Sequence, residues 1–289
     1  MSNFDTAACV GTHDILFITL DTLRYDVAVQ ALACGQTPAL AVFLGEGGWQ
    51  HRHSPASFTY AAHQAFFAGF LPTPAEPENN REHYRLFATR FPGSETTGPN
   101  TFVFDTADII TGFAGLGYHT LCVGGTGFFN RQSALGSVLP ALFAESHWSP
   151  ALGVAEHASP KNQIDEAIAG IGRCPGTRRL FLFINISACH PPHAMYLPGA
   201  IHDCAASQQA ALAEVDRHLP RLFTAMQHRA PVLTVICSDH GTTFGEDGYR
   251  GHRIGHPAVW SVPYGEGVLP YRPDSCLEKS WILPDDCVD

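Results

Sequence analysis

The sequence has few charged residues: they make up 15% of its 289 residues, and 27 acidic against 17 basic side chains give a net charge of −10. A non-specific nucleic-acid binder needs a basic surface, so this balance argues against that class of protein. No apolar run approaches the roughly 20 residues that span a bilayer. The segment Met1 to His13 also lacks the basic residues that open a secretory signal. We therefore expect a cytoplasmic protein that binds neither nucleic acid nor a membrane.

Several common catalytic motifs are missing as well. The sequence contains no G-x-x-x-x-G-K, no G-x-G-x-x-G after a strand, no G-x-S-x-G and no H-E-x-x-H. These absences disfavour P-loop enzymes, dinucleotide dehydrogenases, α/β-hydrolases and zincins. The nine cysteines are odd in number and none is spaced as C-x-x-C. Neither a disulfide framework nor a structural zinc knuckle is expected from them.

What the sequence does contain is a series of short apolar runs that predict buried strands. Each run is nearly continuous rather than alternating, which is typical of a parallel sheet covered on both faces. Stretches with helical spacing of apolar residues lie between these runs. The alternating order of strands and helices favours an α/β fold, with an open and mostly parallel sheet sandwiched by helices. We expect a single domain over residues 1–289. The predicted strands are Ile15–Leu20, Thr120–Val123, Leu180–Ile186 and Val232–Cys237, and the predicted helices are Thr106–Leu116, Lys161–Ile171 and Ala205–Met226.

Two regions do not follow this pattern. The stretch Leu71–Gly98 is rich in proline and glycine around a charged middle, which is typical either of an irregular surface insertion or of a lid over a site. Proline and glycine are also dense after Gly245, where we expect wrapped coil with short strands.

Metal-ligating side chains directly follow three of the predicted strands. Asp21 comes after the first strand, and the pair Asp239 and His240 comes after the last. His190 and His193 follow the third. Active sites of open α/β sheets lie beyond the carboxyl ends of their strands, so we expect these side chains to lie near one another. An Asp in this position can also simply cap the next helix.

Two further imidazoles, His252 and His256, come shortly after His240, and the chain has 16 histidines in all. Mixed Asp and His ligands suit Zn²⁺, Mn²⁺ or Fe better than Mg²⁺ or Ca²⁺. We therefore expect a divalent metal site with one or two ions.

A loop rich in hydroxyl side chains, Ser54 to His63, leads into an apolar helix. A hydroxyl at a helix N-terminus lies close to free backbone N–H groups and the positive end of the helix dipole, which can hold an oxyanion. The simpler interpretation of this loop is an ordinary helix cap by Ser57 or Thr59.

In this order, these clusters resemble the alkaline phosphatase/arylsulfatase superfamily. The resemblance extends from Asp14 to Pro263 and implies that superfamily's α/β fold and its metal-dependent chemistry on phosphate or sulfate esters. The segments that carry it are DILFITLDTLRYD, SPASFTYAAHQAFFAGFLP, FLFINISACHPPH and SDHGTTFGEDGYRGH.

Residue by residue, the resemblance implies that Asp21, Asp239 and His240 bind one metal ion. Thr59 falls at the nucleophile position and would be both a metal ligand and the nucleophile. A sulfatase of this superfamily needs a Cys or Ser there, because that residue is oxidised to formylglycine. Threonine cannot supply this aldehyde, so the resemblance does not extend to formylglycine sulfatases.

The remaining histidines are assigned in the same way. His252 matches the late histidine of the superfamily and His190 the one that contacts substrate or a second metal, so both are candidate catalytic and metal-binding residues. Two-metal relatives usually have an Asp where this chain has Ala188. A second site would therefore have to be built from His190, His193 and His252, with Cys189 or His256 as a further candidate ligand.

Substrate contacts are expected from two other segments. The stretch Phe-Phe-Asn-Arg, ending in Asn130 and Arg131, is similar to one in lipoteichoic acid synthases, where the Arg grips a phosphate. A planar guanidinium can do this through paired donors. His63, in the nucleophile segment, is a further candidate for substrate binding.

The leading hypothesis for function is a metal-dependent hydrolase of a phosphate ester, phosphodiester or phosphonate, acting on a small phosphorylated molecule. A phosphotransferase, mutase or biosynthetic tailoring enzyme on the same fold is the first alternative. A non-catalytic metal-binding accessory protein is the second. The apolar C-terminal segments are compatible either with covering the core or with facing the second copy of a homodimer.

Overall fold

The computed structural model describes residues 6–69 and 107–273. The predicted insertion or lid at 71–98 lies outside these residues. The helices are α1 (Thr6–Cys9), α2 (Tyr25–Ala33), α3 (Pro38–Leu44), α4 (Thr59–Ala68), α5 (Ile109–Gly115), α6 (Ala134–Val138), α7 (Ser159–Arg173), α8 (Ala205–Gln227) and α9 (Pro257–Trp260). The strands are β1 (Asp14–Leu20), β2 (Gln50–His53), β3 (His119–Val123), β4 (Glu145–His147), β5 (Leu180–Ile186), β6 (Val232–Cys237), β7 (Thr243–Phe244), β8 (Arg250–Gly251) and β9 (Ser261–Leu269).

The four predicted strands are confirmed, as β1, β3, β5 and β6, and each boundary agrees within one residue. They belong to a seven-stranded sheet in the order β2-β9-β6-β1-β5-β3-β4. From β6 to β4 all neighbours are parallel, whereas β9 runs antiparallel to both β6 and β2. The predicted fold class, an open and mostly parallel sheet, is therefore confirmed.

Both faces of the sheet are covered by helices, which explains why the central strands are apolar along their whole length. In β1, Leu16, Ile18 and Leu20 point into one core, which contains buried side chains of α2, α3, α7 and α8. Ile15 and Phe17 point into the other, which includes residues of α4, α5 and α6. The second core is rich in aromatic rings, for example Phe17 and Phe183 with ring centroids 5.5 Å apart.

The segment after Gly245 is more regular than predicted. It contains β9, a nine-residue strand whose residues 264–269 pair with β6 and whose residues 261–264 pair with β2. A Cβ atom at Gly265 within β9 would lie 2.4 Å from Leu44 Cδ2 of α3, so glycine at this position lets the side chain of Leu44 pack against the strand. The glycine that suggested coil therefore marks a close approach of a helix to a strand.

The helix predicted from Thr106 is also shorter than expected, because α5 begins at Ile109. Asp108 caps it, and its carboxylate accepts a hydrogen bond of 2.8 Å from the Thr111 N–H. A capping carboxylate fixes the start of the helix at the next residue.

Among the described helices, none is by itself long and apolar enough to cross a membrane. The segments Tyr25–Ala33 and Pro38–Gly47 reach that length and composition only as a pair, with a bend of 102° between them.

Two glycines of α7 test how closely this helix packs on β3. Gly170 is buried, and a Cβ atom at this position would lie 2.4 Å from Cδ2 of Leu121, a side chain that is itself fully buried. A Cβ atom at Gly172 would have nothing within 4 Å. We expect Gly170→Ala to lower the free energy of unfolding by about 1–3 kcal/mol through overpacking. Gly172→Ala, the matched control, should raise it by roughly 0.5–1 kcal/mol because alanine favours the helix. Urea unfolding measures both, and equal effects of the two changes would contradict this packing.

Candidate metal centre and catalytic site

The carboxyl ends of β1 and β6 bring three predicted metal ligands together. Asp21 follows β1, and Asp239 and His240 follow β6, which is its neighbour in the sheet. All three side chains are fully buried. One ligating atom from each lies within 4.8 Å of the other two, which makes this group a candidate metal centre.

Asp21 is held by neighbours on both sides. Its Oδ2 atom accepts a hydrogen bond of 3.0 Å from Asn185 Nδ2 of β5. The Thr59 hydroxyl lies 3.4 Å from Oδ1 and 3.3 Å from Oδ2. Burial, and then the negative charge of Asp239, raise the pKa of the Asp21 carboxyl from its ordinary value to about 6.

Asp239 uses only one of its two oxygens within the described residues. Its Oδ1 accepts hydrogen bonds from the backbone N–H groups of Thr22, at 3.1 Å, and His240, at 2.9 Å. Its Oδ2 is buried and has no hydrogen-bond partner there. Burial raises the pKa of this carboxyl to about 7. A buried carboxylate oxygen without a partner is costly unless a cation faces it.

His240 is oriented by its own backbone. Its Nδ1–H donates to the carbonyl oxygen of Gly241 at 2.8 Å, which leaves a lone pair on Nε2. That Nε2 atom lies 3.5 Å from Asp239 Oδ2 and 3.3 Å from the Thr59 hydroxyl. Burial lowers the pKa of the imidazole to about 4, so it is neutral at pH 7. A neutral imidazole fixed through its other nitrogen by a backbone carbonyl is the usual form of a metal-ligating histidine.

Gly241 makes this arrangement possible. A Cβ atom at this position would lie 1.9 Å from the carbonyl oxygen of Ala258 in α9. The backbone of α9 can therefore lie this close to the residue after His240 only because that residue has no side chain.

Thr59 is the first residue of α4, and its side chain is buried between Asp21 and His240. The residue that caps α4 is Phe58, with no side-chain hydrogen bond to the helix. The simpler interpretation, a cap by Ser57 or Thr59, is therefore wrong. The Thr59 hydroxyl faces the candidate metal ligands instead, at the positive end of the helix dipole.

His63, predicted to bind substrate, lies beneath Thr59 and is fully buried. Its Nδ1–H donates to the Thr59 carbonyl oxygen at 2.7 Å, and its Nε2 accepts from the Thr19 hydroxyl at 3.0 Å. Burial lowers its pKa to about 3. Because both ring nitrogens already have protein partners, we expect His63 to position Thr59 rather than to contact substrate.

Two of the other three predicted histidines, His252 and His190, lie beside this centre. The ring centroid of His252 lies 4.6 Å from that of His240 and 5.6 Å from that of His190. Burial, followed by the effect of His240, lowers the pKa of His252 to about 2. His193 is buried and its Nδ1 pairs with the Ser207 hydroxyl at 2.8 Å. Within residues 6–69 and 107–273, these histidines do not form a second group of three ligands at metal-binding spacing.

Asn130 and Arg131 have contacts within their own loop. Asn130 Oδ1 accepts from the Gln132 N–H at 2.8 Å, and Arg131 Nη2 donates to the carbonyl oxygen of Pro140 at 3.2 Å. No hydrogen bond between described residues links either side chain to Asp21 or Thr59. Their role in substrate binding stays a prediction.

Two residues near the centre were missed from the sequence. Asn185 binds Asp21, and its only signal was a polar side chain inside an otherwise apolar strand. Arg253 follows His252, and its backbone N–H donates to the Ser57 carbonyl oxygen at 2.8 Å, two residues before Thr59. Its position next to a candidate histidine was the available signal.

Metal content tests the ligand set. After reconstitution with Mn²⁺ or Zn²⁺, we expect elemental analysis to find one ion per chain in the wild type and almost none in Asp239→Ala, because the variant lacks the unpaired Oδ2. Asp247→Ala removes a carboxylate that is 82% exposed and should keep the ion. Two ions would indicate a second site that includes His190, His193 and His252. A wild-type chain without metal would contradict the centre and favour the accessory-protein hypothesis.

Burial of the Asp239 carboxyl group should make the free energy of unfolding of the metal-free protein depend on pH. The pKa of Asp239 rises from 3.8 to about 7 on folding, so the folded state binds the extra proton between these pH values. The destabilisation is therefore absent at low pH, grows as the pH rises and is complete above pH 7. We expect metal-free Asp239→Asn to melt at least about 5 °C above the metal-free wild type at pH 8, with a smaller difference at pH 5. A pH-independent difference would argue against this effect, and Asp247→Asn serves as the exposed control.

No protein-family model matches the sequence, and no curated protein matches it either. Solved structures do match. The lipoteichoic acid synthase LtaP from Listeria monocytogenes superposes with a TM-score of 0.61 at 11% identity over 92% of this chain and 68% of its own. The phosphonate monoester hydrolase of Agrobacterium radiobacter gives 0.59 at 14% identity, over 88% and 68%. A protein in the alkaline phosphatase superfamily from Vibrio parahaemolyticus gives 0.54 at 14% identity, over 91% and 62%.

These identities are low, so the likeness is one of fold. It agrees with the arrangement described above, a mostly parallel sheet flanked by helices with Asp and His ligands at the carboxyl ends of its strands. The chain has the fold of the alkaline phosphatase superfamily.

Proposed function

We propose that this chain is a metal-dependent enzyme that cleaves a phosphate ester, phosphodiester or phosphonate in a small molecule, with Thr59 as the nucleophile. One observation carries the proposal. The buried Thr59 hydroxyl lies 3.3 to 3.4 Å from the Asp21 carboxylate and the His240 imidazole, at the N-terminus of α4. A threonine with only a structural role would normally cap the helix or bond to its backbone.

The donor set fits a single divalent ion. Asp21, Asp239 and His240 would hold it, with Thr59 as a fourth ligand, and two carboxylates with one imidazole suit Zn²⁺, Mn²⁺ or Fe. Such an ion would stabilise the negative charge on the phosphoryl oxygens in the transition state and would lower the pKa of a bound hydroxyl. The unpaired Oδ2 of Asp239 is the feature of the described residues that most directly calls for a cation.

Residues of the chain itself would carry out the attack on phosphorus and the transfer of the hydroxyl proton. Thr59 Oγ1 forms the new bond to phosphorus, the bond from phosphorus to the leaving oxygen breaks, and the hydroxyl proton is finally carried by the departing alcohol. Asp21, within 3.4 Å, is the nearest carboxylate to receive that proton from Thr59 on the way. Water then cleaves the phospho-threonine and regenerates the hydroxyl.

His252 would act as a hydrogen-bonding residue in both steps. It is neutral at pH 7, since burial lowers its pKa to about 2, and its Nδ1 has no hydrogen-bond partner within the described residues. It is therefore better suited to orient the leaving group or the attacking water than to supply a proton.

Transfer to another molecule is the second candidate, and the structural likeness to a lipoteichoic acid synthase favours it. The chemistry at Thr59 would be the same up to the phospho-threonine, and a hydroxyl or amine of an acceptor would then replace water.

Substitution of Thr59 tests the mechanism. We expect Thr59→Ala to lose at least about 10³-fold in kcat/KM toward 4-nitrophenyl phosphate, bis(4-nitrophenyl) phosphate or a phenyl phosphonate ester, because no nucleophile remains. Thr59→Ser keeps a hydroxyl and should retain most of the activity. Circular dichroism and metal analysis of both variants separate a lost nucleophile from a lost fold.

The products of the same assay separate the two candidates. Equal amounts of phosphate and nitrophenol indicate hydrolysis, whereas less phosphate than nitrophenol, with a phosphorylated acceptor, indicates transfer. Full activity of Thr59→Ala would disprove the assignment of the nucleophile.

A further inference from the structure

The ring of His252 is held differently from the other buried rings near the centre. The Nδ1–H of His240 donates to the carbonyl oxygen of Gly241, and both ring nitrogens of His63 have protein partners. No hydrogen bond between described residues holds the His252 ring, and its buried Nδ1 has no partner among them. The position of this ring therefore depends on the main chain that carries it.

That main chain continues directly from a short hairpin, residues 243–251, which we call the β7–β8 hairpin. Its two strands pair in the register Thr243 to Gly251 and Phe244 to Arg250, and His252 is the next residue after β8. The Thr243 hydroxyl also donates to the Gly251 carbonyl oxygen at 3.0 Å. Contacts that fix this hairpin relative to the central sheet therefore also fix His252.

Glu246, in the turn of the hairpin, connects it to the loop that follows β1. Its Oε2 accepts a hydrogen bond of 2.6 Å from the Phe244 N–H, and its Oε1 accepts one from Nη1 of Arg24. Arg24 lies three residues after Asp21, and its guanidinium carbon is 5.3 Å from the centroid of the Phe244 ring. One arginine of the β1 loop thus contacts the hairpin through both a carboxylate and an aromatic ring.

Arg24 is itself fixed by other parts of the fold, and its side chain is only 10% exposed. Its Nε and Nη2 donate to the two oxygens of Asp26 in α2, at 2.9 and 2.6 Å. Its backbone N–H donates to Gln208 Oε1 of α8 at 3.3 Å. Burial raises the pKa of Glu246, but hydrogen bonds, first that from Arg24, lower it to about 2, so both partners are charged at neutral pH.

We propose that Arg24 and Glu246 form a positioning pair, which holds the β7–β8 hairpin so that His252 lies beside the candidate metal centre. The inference rests on the proposed function, because it assigns the pair to the steps in which His252 orients the leaving group or the attacking water. Neither partner is expected to touch the substrate. The pair acts through His252, by fixing the ring at its 4.6 Å centroid distance from the ring of His240.

Two substitutions separate this role from the general loss of an ion pair. Glu246→Gln keeps the size of the side chain and an oxygen for the Phe244 N–H, but it removes the charge that binds Arg24. Asp26→Asn is the matched control, because it also removes a carboxylate partner of Arg24 but lies in α2, outside the hairpin. Both variants should keep the bound ion, which elemental analysis checks.

The first test is kinetic and uses metal-loaded protein with the phosphate and phosphonate esters named above. We expect Glu246→Gln to lower kcat about 10- to 100-fold, and no further than His252→Ala does, with a change in KM below about threefold. Asp26→Asn should stay within about threefold of the wild type. In the His252→Ala background, Glu246→Gln should change kcat by less than about twofold, because both substitutions act on the same residue position.

The second test needs no turnover. Hydrogen–deuterium exchange followed by mass spectrometry measures how often the hairpin opens. We expect the amides of residues 243–252 to exchange at least about tenfold faster in Glu246→Gln than in the wild type, because a charge-assisted hydrogen bond is lost. In Asp26→Asn they should exchange at the wild-type rate.

The two proposals can fail separately. Equal effects of Glu246→Gln and Asp26→Asn on kcat and on exchange would overturn the positioning pair. Faster exchange without a loss of kcat would also overturn it, because the pair would then only stabilise the hairpin. A wild type that turns over none of the esters would refute the proposed catalysis, and the exchange of residues 243–252 would then decide the placement of His252 alone.

Discussion

The structure depends on the placement of two carboxylates that repel each other and are buried together. Asp21 and Asp239 follow neighbouring strands, both are without solvent exposure, and burial raises the pKa of each. Two adjacent buried carboxylates are unfavourable unless protons or a cation compensate them. The surrounding donors from Asn185, Thr22 and the His240 backbone reach two of the four carboxylate oxygens, Asp21 Oδ2 and Asp239 Oδ1. The Thr59 hydroxyl lies 3.4 Å from Asp21 Oδ1, and Asp239 Oδ2 has no hydrogen-bond partner among the described residues and faces the proposed ion.

The rest of the fold holds these groups where a cation can meet them. The parallel order of β6, β1 and β5 puts the ends of three strands side by side. Gln208 of α8 joins two of the loops that follow, since its Nε2 donates to the carbonyl oxygens of Thr22 and Cys189, each at 3.0 Å. The loops at the site are thus fixed by hydrogen bonds to a long core helix, and the ligands do not depend on loop conformation alone.

The sequence predicted the central strands, and it predicted that Asp21, Asp239 and His240 lie together, because each has a direct signal, a continuous apolar run followed by Asp or His. It could not predict β9, because the close approach of Leu44 to Gly265 is a tertiary contact that leaves only a glycine in the sequence. The orientation of the Thr59 hydroxyl could not be predicted from the sequence either, because helix capping and metal ligation use the same residue types. Arg253 is close to Phe58 only through a fold that brings together positions almost 200 residues apart.

The hydrogen bonds around His63 have one more consequence. Asn185 donates to the Thr19 hydroxyl, that hydroxyl donates to His63 Nε2, and His63 Nδ1 donates to the main-chain carbonyl of Thr59. These hydrogen bonds fix the main chain at position 59 relative to β1, the strand that Asp21 directly follows. They do not involve the side chain at position 59. The position proposed for the nucleophile is therefore fixed independently of the side chain that occupies it. A different nucleophilic side chain at position 59 would keep the same main-chain position relative to the candidate metal ligands.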